Sequence, residues 1–226
     1  MKRTSGETHG IQSLDDPAEM QSARRLMVER QLRTRDITDE RVLAAMEAVP
    51  RHWFVGVDQQ YAAYKDGALP IGYGQTISQP YIVALMTQLA DPVPDAKALE
   101  IGTGCGYQAA VLSRLVSHVY SIEIVPELAE AAQTRAKVMN LDHVTFRCGD
   151  GSHGWPEEAP FDIVLAAAAP ERIPAALIGQ LAPGGRLIIP VGSYPQMLLK
   201  VTKRQDGSID EEEICPVAFV PMTGDA

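Results

Sequence analysis

Lys97-Ala98-Leu99-Glu100-Ile101-Gly102-Thr103-Gly104-Cys105-Gly106-Tyr107-Gln108 is the stretch that decides how this chain folds. A short apolar run, Ala98 to Ile101, meets a loop with glycine at every second position. The loop then passes into a helical segment, Gln108 to Val116. A strand that turns through glycines into a helix lets the backbone approach a ligand at the carboxyl end of the strand. Alone, this pattern is weak evidence, since it is also read as a tight strand-to-helix turn. The spacing adds information: G-x-G-x-G is not the G-x-G-x-x-G of a dinucleotide fingerprint, so no pyrophosphate cradle is indicated.

Downstream the same rhythm repeats. Val119–Glu123, Val144–Cys148, Phe161–Ala166 and Arg186–Val191 read as strands, with helices at Pro126–Asn140 and Ile173–Leu181 between them. Strands that are nearly all apolar and alternate with helices imply an α/β fold, with a mostly parallel sheet covered by helices on both faces. Two further strands, near Met197–Lys203 and Ile214–Val220, are expected to pair as a hairpin around Asp206-Gly207. Upstream, Ala18 to Thr34 has helical spacing. Thr38 reads as the N-cap of a helix that buries Val42, Leu43, Met46 and Val49 and stops at Pro50. Residues 51–80 are rich in aromatics and glycine and read as loop and short strand, and a helix follows Pro80.

Strand ends supply the candidate ligand groups. Glu123 closes the strand after the loop, 21 positions beyond Gly102. A carboxylate there can accept from both hydroxyls of a ribose, or can simply be a solvated strand end. Asp150, between Gly149 and Gly151, can accept an adenine amine, and reads equally well as a turn residue. Glu100 faces the same crevice, where it would hold loop amides or attract a cation. Together these features favour S-adenosylmethionine over a nicotinamide dinucleotide.

Composition narrows the function. With 226 residues, 46% hydrophobic and 22% charged, the chain suits one globular domain. The formal net charge of −9 disfavours nucleic acid as a partner. No apolar run approaches the roughly 20 residues of a membrane span. Cys105, Cys148 and Cys215 are few and scattered, so a reducing, cytoplasmic setting is expected. The five histidines show no ligand spacing, and no metal is expected. Residues 1–17 are expected to form a flexible tail before a single domain over 18–226. That domain divides into N-terminal helices and a covering loop (18–95), a cofactor-binding core (96–192) and C-terminal strands (193–226).

The segment from Leu99 to Gln108 resembles the first motif of class I S-adenosylmethionine-dependent methyltransferases. Ala68-Leu69-Pro70-Ile71-Gly72-Tyr73-Gly74-Gln75-Thr76-Ile77-Ser78-Gln79-Pro80 is similar to a signature of the protein-L-isoaspartate O-methyltransferase family that general methyltransferases lack. The likeness continues through Gly149-Asp150-Gly151, Gly154-Trp155-Pro156 and Pro183–Gly192. Cys105 stands where many members have serine, and Ala166-Ala167 is blander than usual and is given no role.

The resemblance implies a Rossmann-like, doubly wound, seven-stranded sheet with an N-terminal helical extension. It implies methyl transfer from S-adenosylmethionine to the free carboxylate of L-isoaspartyl residues in damaged proteins and peptides. The ester then closes to a succinimide, whose opening returns some normal aspartate. Ser78 is the expected acceptor-side group; from sequence alone it reads instead as a helix cap. Thr76, Ile77, Glu100, Gly102, Thr103, Gly104, Gly106, Glu123, Asp150 and Gly151 are expected around the cofactor, and Ile77, Gln79 and Val220 around the substrate. A monomer is expected. The competing reading is a class I methyltransferase with a small-molecule acceptor.

Overall fold

The computed structural model describes residues 14–224. The N-terminal extension begins with α1 (Ala18–Met27), which widens into a π-turn at Val28–Leu32, followed by α2 (Glu40–Ala48). The cap of α2 is Asp39 and not Thr38. The Asp39 carboxylate accepts from the Arg41 amide at 2.8 Å and from the Arg41 guanidinium at 2.7 Å. Both neighbours are cap-forming types, and a full negative charge is favoured at the positive end of a helix. Residues 14–17, read with the tail, are tied to the domain. Asp16 pairs with Arg24 at 2.8 Å, and the Asp15 carbonyl accepts from the Trp53 indole at 2.9 Å. The rest of the expected tail, residues 1–13, lies outside the described residues.

After two 3-10 turns, β1 (Leu69–Gly72) and β2 (Gln75–Ile77) form an antiparallel hairpin separate from the main sheet. α3 (Pro80–Ala90) starts three residues after β2, with Pro80 in its first turn, where the missing N–H is harmless.

The main sheet then builds in order: β3 (Lys97–Ile101), α4 (Tyr107–Leu112), β4 (His118–Glu123), α5 (Pro126–Val138), β5 (Val144–Cys148), β6 (Phe161–Ala166), α6 (Ala175–Gly179), β7 (Leu181–Val191), β8 (Gln196–Lys203) and β9 (Ile209–Val217). Across the sheet the strands run β5-β4-β3-β6-β7-β8-β9. The first five are parallel, and β8 is antiparallel to both its neighbours.

Side chains alternate between two apolar layers. Ala98, Ile163, Leu165 and Ile188 pack towards α2, α3 and α4. Leu99, Ile101, Val164, Ala166, Leu187 and Ile189 pack towards Leu177 of α6 and Trp155. Burial on both faces is why these strands read as continuous apolar runs.

Several boundaries differ from expectation: β7 starts at Leu181 and not at Arg186, α6 spans only Ala175–Gly179, and α5 stops at Val138. α4 ends at Leu112, short of Val116. β9 starts at Ile209 and ends at Val217, because Glu211, Glu212 and Glu213 occupy an exposed edge strand, where charge is tolerated and guards against edge pairing. Residues beyond Val217 leave β9 and turn inward: Ala169 donates to the Val220 carbonyl at 2.9 Å and accepts from the Met222 amide at 2.7 Å.

Candidate active site

The strand order reverses at β3: its neighbours β4 and β6 are reached by connections running in opposite directions. A crevice opens at the carboxyl ends of these strands, as expected at such a switch point. The glycine loop after β3 forms its floor. Gly102, Gly104 and Gly106 have φ of 87°, 54° and 86°, a left-handed region that other residues rarely enter.

The loop amides turn inward. Those of Gly102 and Thr103 donate to the Ile122 carbonyl at 2.8 and 3.2 Å, and that of Gly106 donates to the Thr103 carbonyl at 2.8 Å. The Gly104 amide donates to Glu123 Oε2 at 2.7 Å, and Glu123 Oε1 accepts from Val125 at 2.9 Å. These two charge-assisted bonds lock the carboxylate at the end of β4.

Glu100 is fully buried below the loop. Its Oε2 accepts from the Ser121 hydroxyl, which bonds to the Thr103 hydroxyl at 2.5 Å. Its Oε1 has no hydrogen-bond partner among the described residues. Burial pushes the Glu100 pKa up to about 8, against the pull of the Ser121 hydroxyl and with a further push from Glu123. A cation in the crevice would favour the ionised form.

The crevice, about 800 Å³ including space open to solvent, has Thr76, Ile77, Ser78, Glu100, Gly102, Thr103, Gly104, Glu123, Gly151 and Val220 in its walls. A Cβ on Gly151 would come within 2.4 Å of Ile101 Cγ2, so only glycine lets the backbone pass there. A second cavity of about 1060 Å³ adjoins the crevice, sharing Thr76, Ser78, Ala167 and Val220 with it. It runs past Gln79, Ile82 and Tyr194 to the sheet edge at Pro216–Phe219, and among the described residues no charged side chain lines it.

The two spaces differ in chemistry. Among the described residues the crevice carries two carboxyl groups, Glu100 and Glu123, and no lysine or arginine, and most of its loop amides are satisfied internally. It is unsuited to phosphates and suited to a cationic ligand with hydroxyl groups. The orphaned Glu100 Oε1 and the glycine passage at 151 fit S-adenosylmethionine, which carries a sulfonium and an ammonium.

Comparison with known proteins agrees with this chemistry. The family model described as protein-L-isoaspartate(D-aspartate) O-methyltransferase matches residues 22–226. The chain belongs to this family. The protein-L-isoaspartate O-methyltransferase 2 of Polaromonas sp. is 54% identical over 82% of this chain and 89% of its own length. The enzyme of Opitutus terrae is 54% identical over 87% of this chain and 85% of its own length. A solved protein-L-isoaspartate O-methyltransferase, 27% identical, superposes with a TM-score of 0.81 over 89% of this chain and 66% of that one.

Within this family frame, two residues expected around the cofactor, Gly106 and Asp150, lie off the crevice wall. Gly106 is the left-handed N-cap of α4. Asp150 Oδ1 accepts from the Ser152 amide at 2.8 Å, capping the turn at 151–153, while its neighbour Gly151 reaches the crevice. Gln79 lines the second cavity, and its side chain donates to Asp66 at 2.7 Å. Ser78 is not the helix cap: Gln79 holds that position, and no side chain caps α3.

Residues not singled out from sequence also line the crevice, among them Gln108, Ile124, Ala167 and Met222. Ala167, given no role in the sequence reading, borders both cavities. Its small side chain lies against Gly102 and leaves the passage open. Only the tertiary fold brings these residues to the wall.

Proposed function

We propose that this family member works by the division of labour its two cavities suggest: donor in the crevice, L-isoaspartyl carboxylate in the uncharged cavity, Ser78 between them. The activity is transfer of the S-adenosylmethionine methyl group to the free carboxylate of L-isoaspartyl residues in damaged proteins and peptides. The observation that carries the reading is that Thr76, Ser78 and Val220 belong to the walls of both spaces.

S-adenosylmethionine, when bound, supplies a methyl group on a positively charged sulfur. What remains for the chain is positioning. The acceptor carboxylate, with an ordinary pKa of about 4, is already ionised at pH 7 and needs no general base. The Ser78 hydroxyl donates to it and aims one oxygen towards the crevice. Correct orientation of two reactants supplies roughly 7–11 kcal/mol of barrier lowering. Glu123 accepts from the ribose hydroxyls, and Glu100 offers its unpartnered oxygen to positive charge. Gly102–Gly106 and Gly151 let the backbone close on the ligand, with Thr76 and Ile77 covering it. On the acceptor side, Gln79 and Val220 line the path of the peptide. The length of the second cavity, from Ser78 to the sheet edge, favours a peptide over a small-molecule acceptor.

The cytoplasmic setting belongs to the same reading, supported by three unpaired cysteines, one of them exposed. The deciding experiment offers labelled S-adenosylmethionine with twin peptides that differ only in aspartyl or isoaspartyl linkage. Labelling of the isoaspartyl peptide alone is expected; equal labelling of both, or of neither, sinks the reading.

A further inference from the structure

Gln196, the first residue of β8, lies outside the residues assigned above. It is polar, yet only 7% exposed. Its backbone pairs with Val217 at the end of β9. Its side chain reaches past that pair: Nε2 donates to the Phe219 carbonyl at 3.0 Å, and Oε1 accepts from the Phe219 amide at 2.6 Å. One primary amide thus satisfies both backbone groups of Phe219, as a strand neighbour would. Beyond Phe219 the chain changes partner, and Ala169 takes over at Val220 and Met222.

Phe219, the residue held by this side chain, sits within Pro216–Val220, one wall of the second cavity; Pro216 and Val217 are held by backbone pairing with β8. The stretch fixed by Ala169 lines the crevice. The two anchors thus hold neighbouring residues by different partners, Gln196 at Phe219 and Ala169 at Val220 and Met222. We infer that Gln196 is a positioning residue for the acceptor, setting the placement of Pro216–Val220 along which the isoaspartyl peptide lies. This rests on the reading of the second cavity as the peptide site. Without the side-chain amide, Phe219 would lose both partners, and backbone groups left unpaired away from water are strongly disfavoured. The segment would then move to find others, while the crevice kept its Ala169 bonds.

The test compares wild type, Gln196→Met and Gln196→Glu. Methionine is similar in size and makes neither bond. Glutamate keeps an acceptor for the Phe219 amide but, when ionised, cannot donate to its carbonyl. Steady-state kinetics with the isoaspartyl peptide and its aspartyl twin are measured beside calorimetric binding of S-adenosylhomocysteine and thermal unfolding. For Gln196→Met we expect peptide KM to rise about tenfold, kcat to stay within threefold and cofactor-site affinity to stay within twofold. Gln196→Glu should fall between it and wild type.

An unchanged KM with a lowered Tm would reduce Gln196 to a purely structural residue and overturn the inference. A loss of S-adenosylhomocysteine affinity in step with KM would also overturn it. Should Gln196→Met fail to fold, Gln196→Glu decides by the same criteria. If wild type does not distinguish the twin peptides, the underlying reading fails and takes this inference with it. Discrimination by wild type with no effect of either variant overturns the inference alone.

Discussion

The two cavities meet at Ser78 and are built by different means. The crevice lies on the ends of parallel strands buried on both faces, and its carboxylates are fixed by backbone amides and hydroxyls from adjoining elements. The second cavity is assembled from pieces outside the parallel core: the β1–β2 hairpin, the β7–β8 turn and the chain beyond β9. A few side-chain bonds hold those pieces, such as Gln196 to Phe219 and Gln79 to Asp66. A site on rigid elements suits a constant ligand, whereas one made of loops and edges suits acceptors that differ beyond a shared linkage. Damage on the crevice side should therefore weaken cofactor binding, and damage on the other side should appear in acceptor kinetics.

The sharpest break expected is at Glu123. Glu123→Ala removes the proposed ribose acceptor and orphans the Gly104 and Val125 amides. With charged hydrogen bonds contributing about 1.5–3 kcal/mol, calorimetry should show cofactor affinity falling by roughly 10- to 150-fold; an unchanged Kd would remove Glu123 from the site. Next is Ser78→Ala, which should lower kcat by about tenfold by the same measure, with cofactor binding within twofold. Turnover equal to wild type would mean that the hydroxyl orients nothing.

The smallest effect concerns Glu100 and is a dependence on pH. Its folded pKa, about 8, lies above the ordinary carboxyl value. The stability it contributes is full below that ordinary value and is lost as pH rises through 8. The cofactor-free enzyme should therefore melt a few degrees lower at pH 9 than at pH 6, and Glu100→Gln should flatten that difference. A slope that persists in the variant would assign it to other groups.

The crevice side was far more legible in the sequence than the acceptor side, for a physical reason. β3 to β7 are buried on both faces, so their apolar runs announce them, and the glycine spacing with Glu123 follows from local geometry. Ser78 and Gln79 were singled out through a likeness of motif and not through periodicity. The early start of β9 was hidden because an exposed edge strand carries Glu211–Glu213, which reads as loop. Thr38 and Asp39 are both cap-forming residues, and one-residue precision there depends on a hydrogen bond that composition does not encode. Gln196 left no local trace. Its meaning lies in Phe219, 23 positions away, and in a register that exists only once β8 and β9 have paired.

The chain from Pro216 to Thr223 runs along both spaces, with Val220 common to the two. It is one piece of backbone with two clients. A ligand that settles this segment from the crevice side has already met part of its ordering entropy for the other. Affinities linked in this way are reciprocal: whatever factor a bound cofactor adds to the affinity for peptide, a bound peptide adds to the affinity for cofactor. Communication between donor and acceptor would then need no moving domain, only a shared strip of wall.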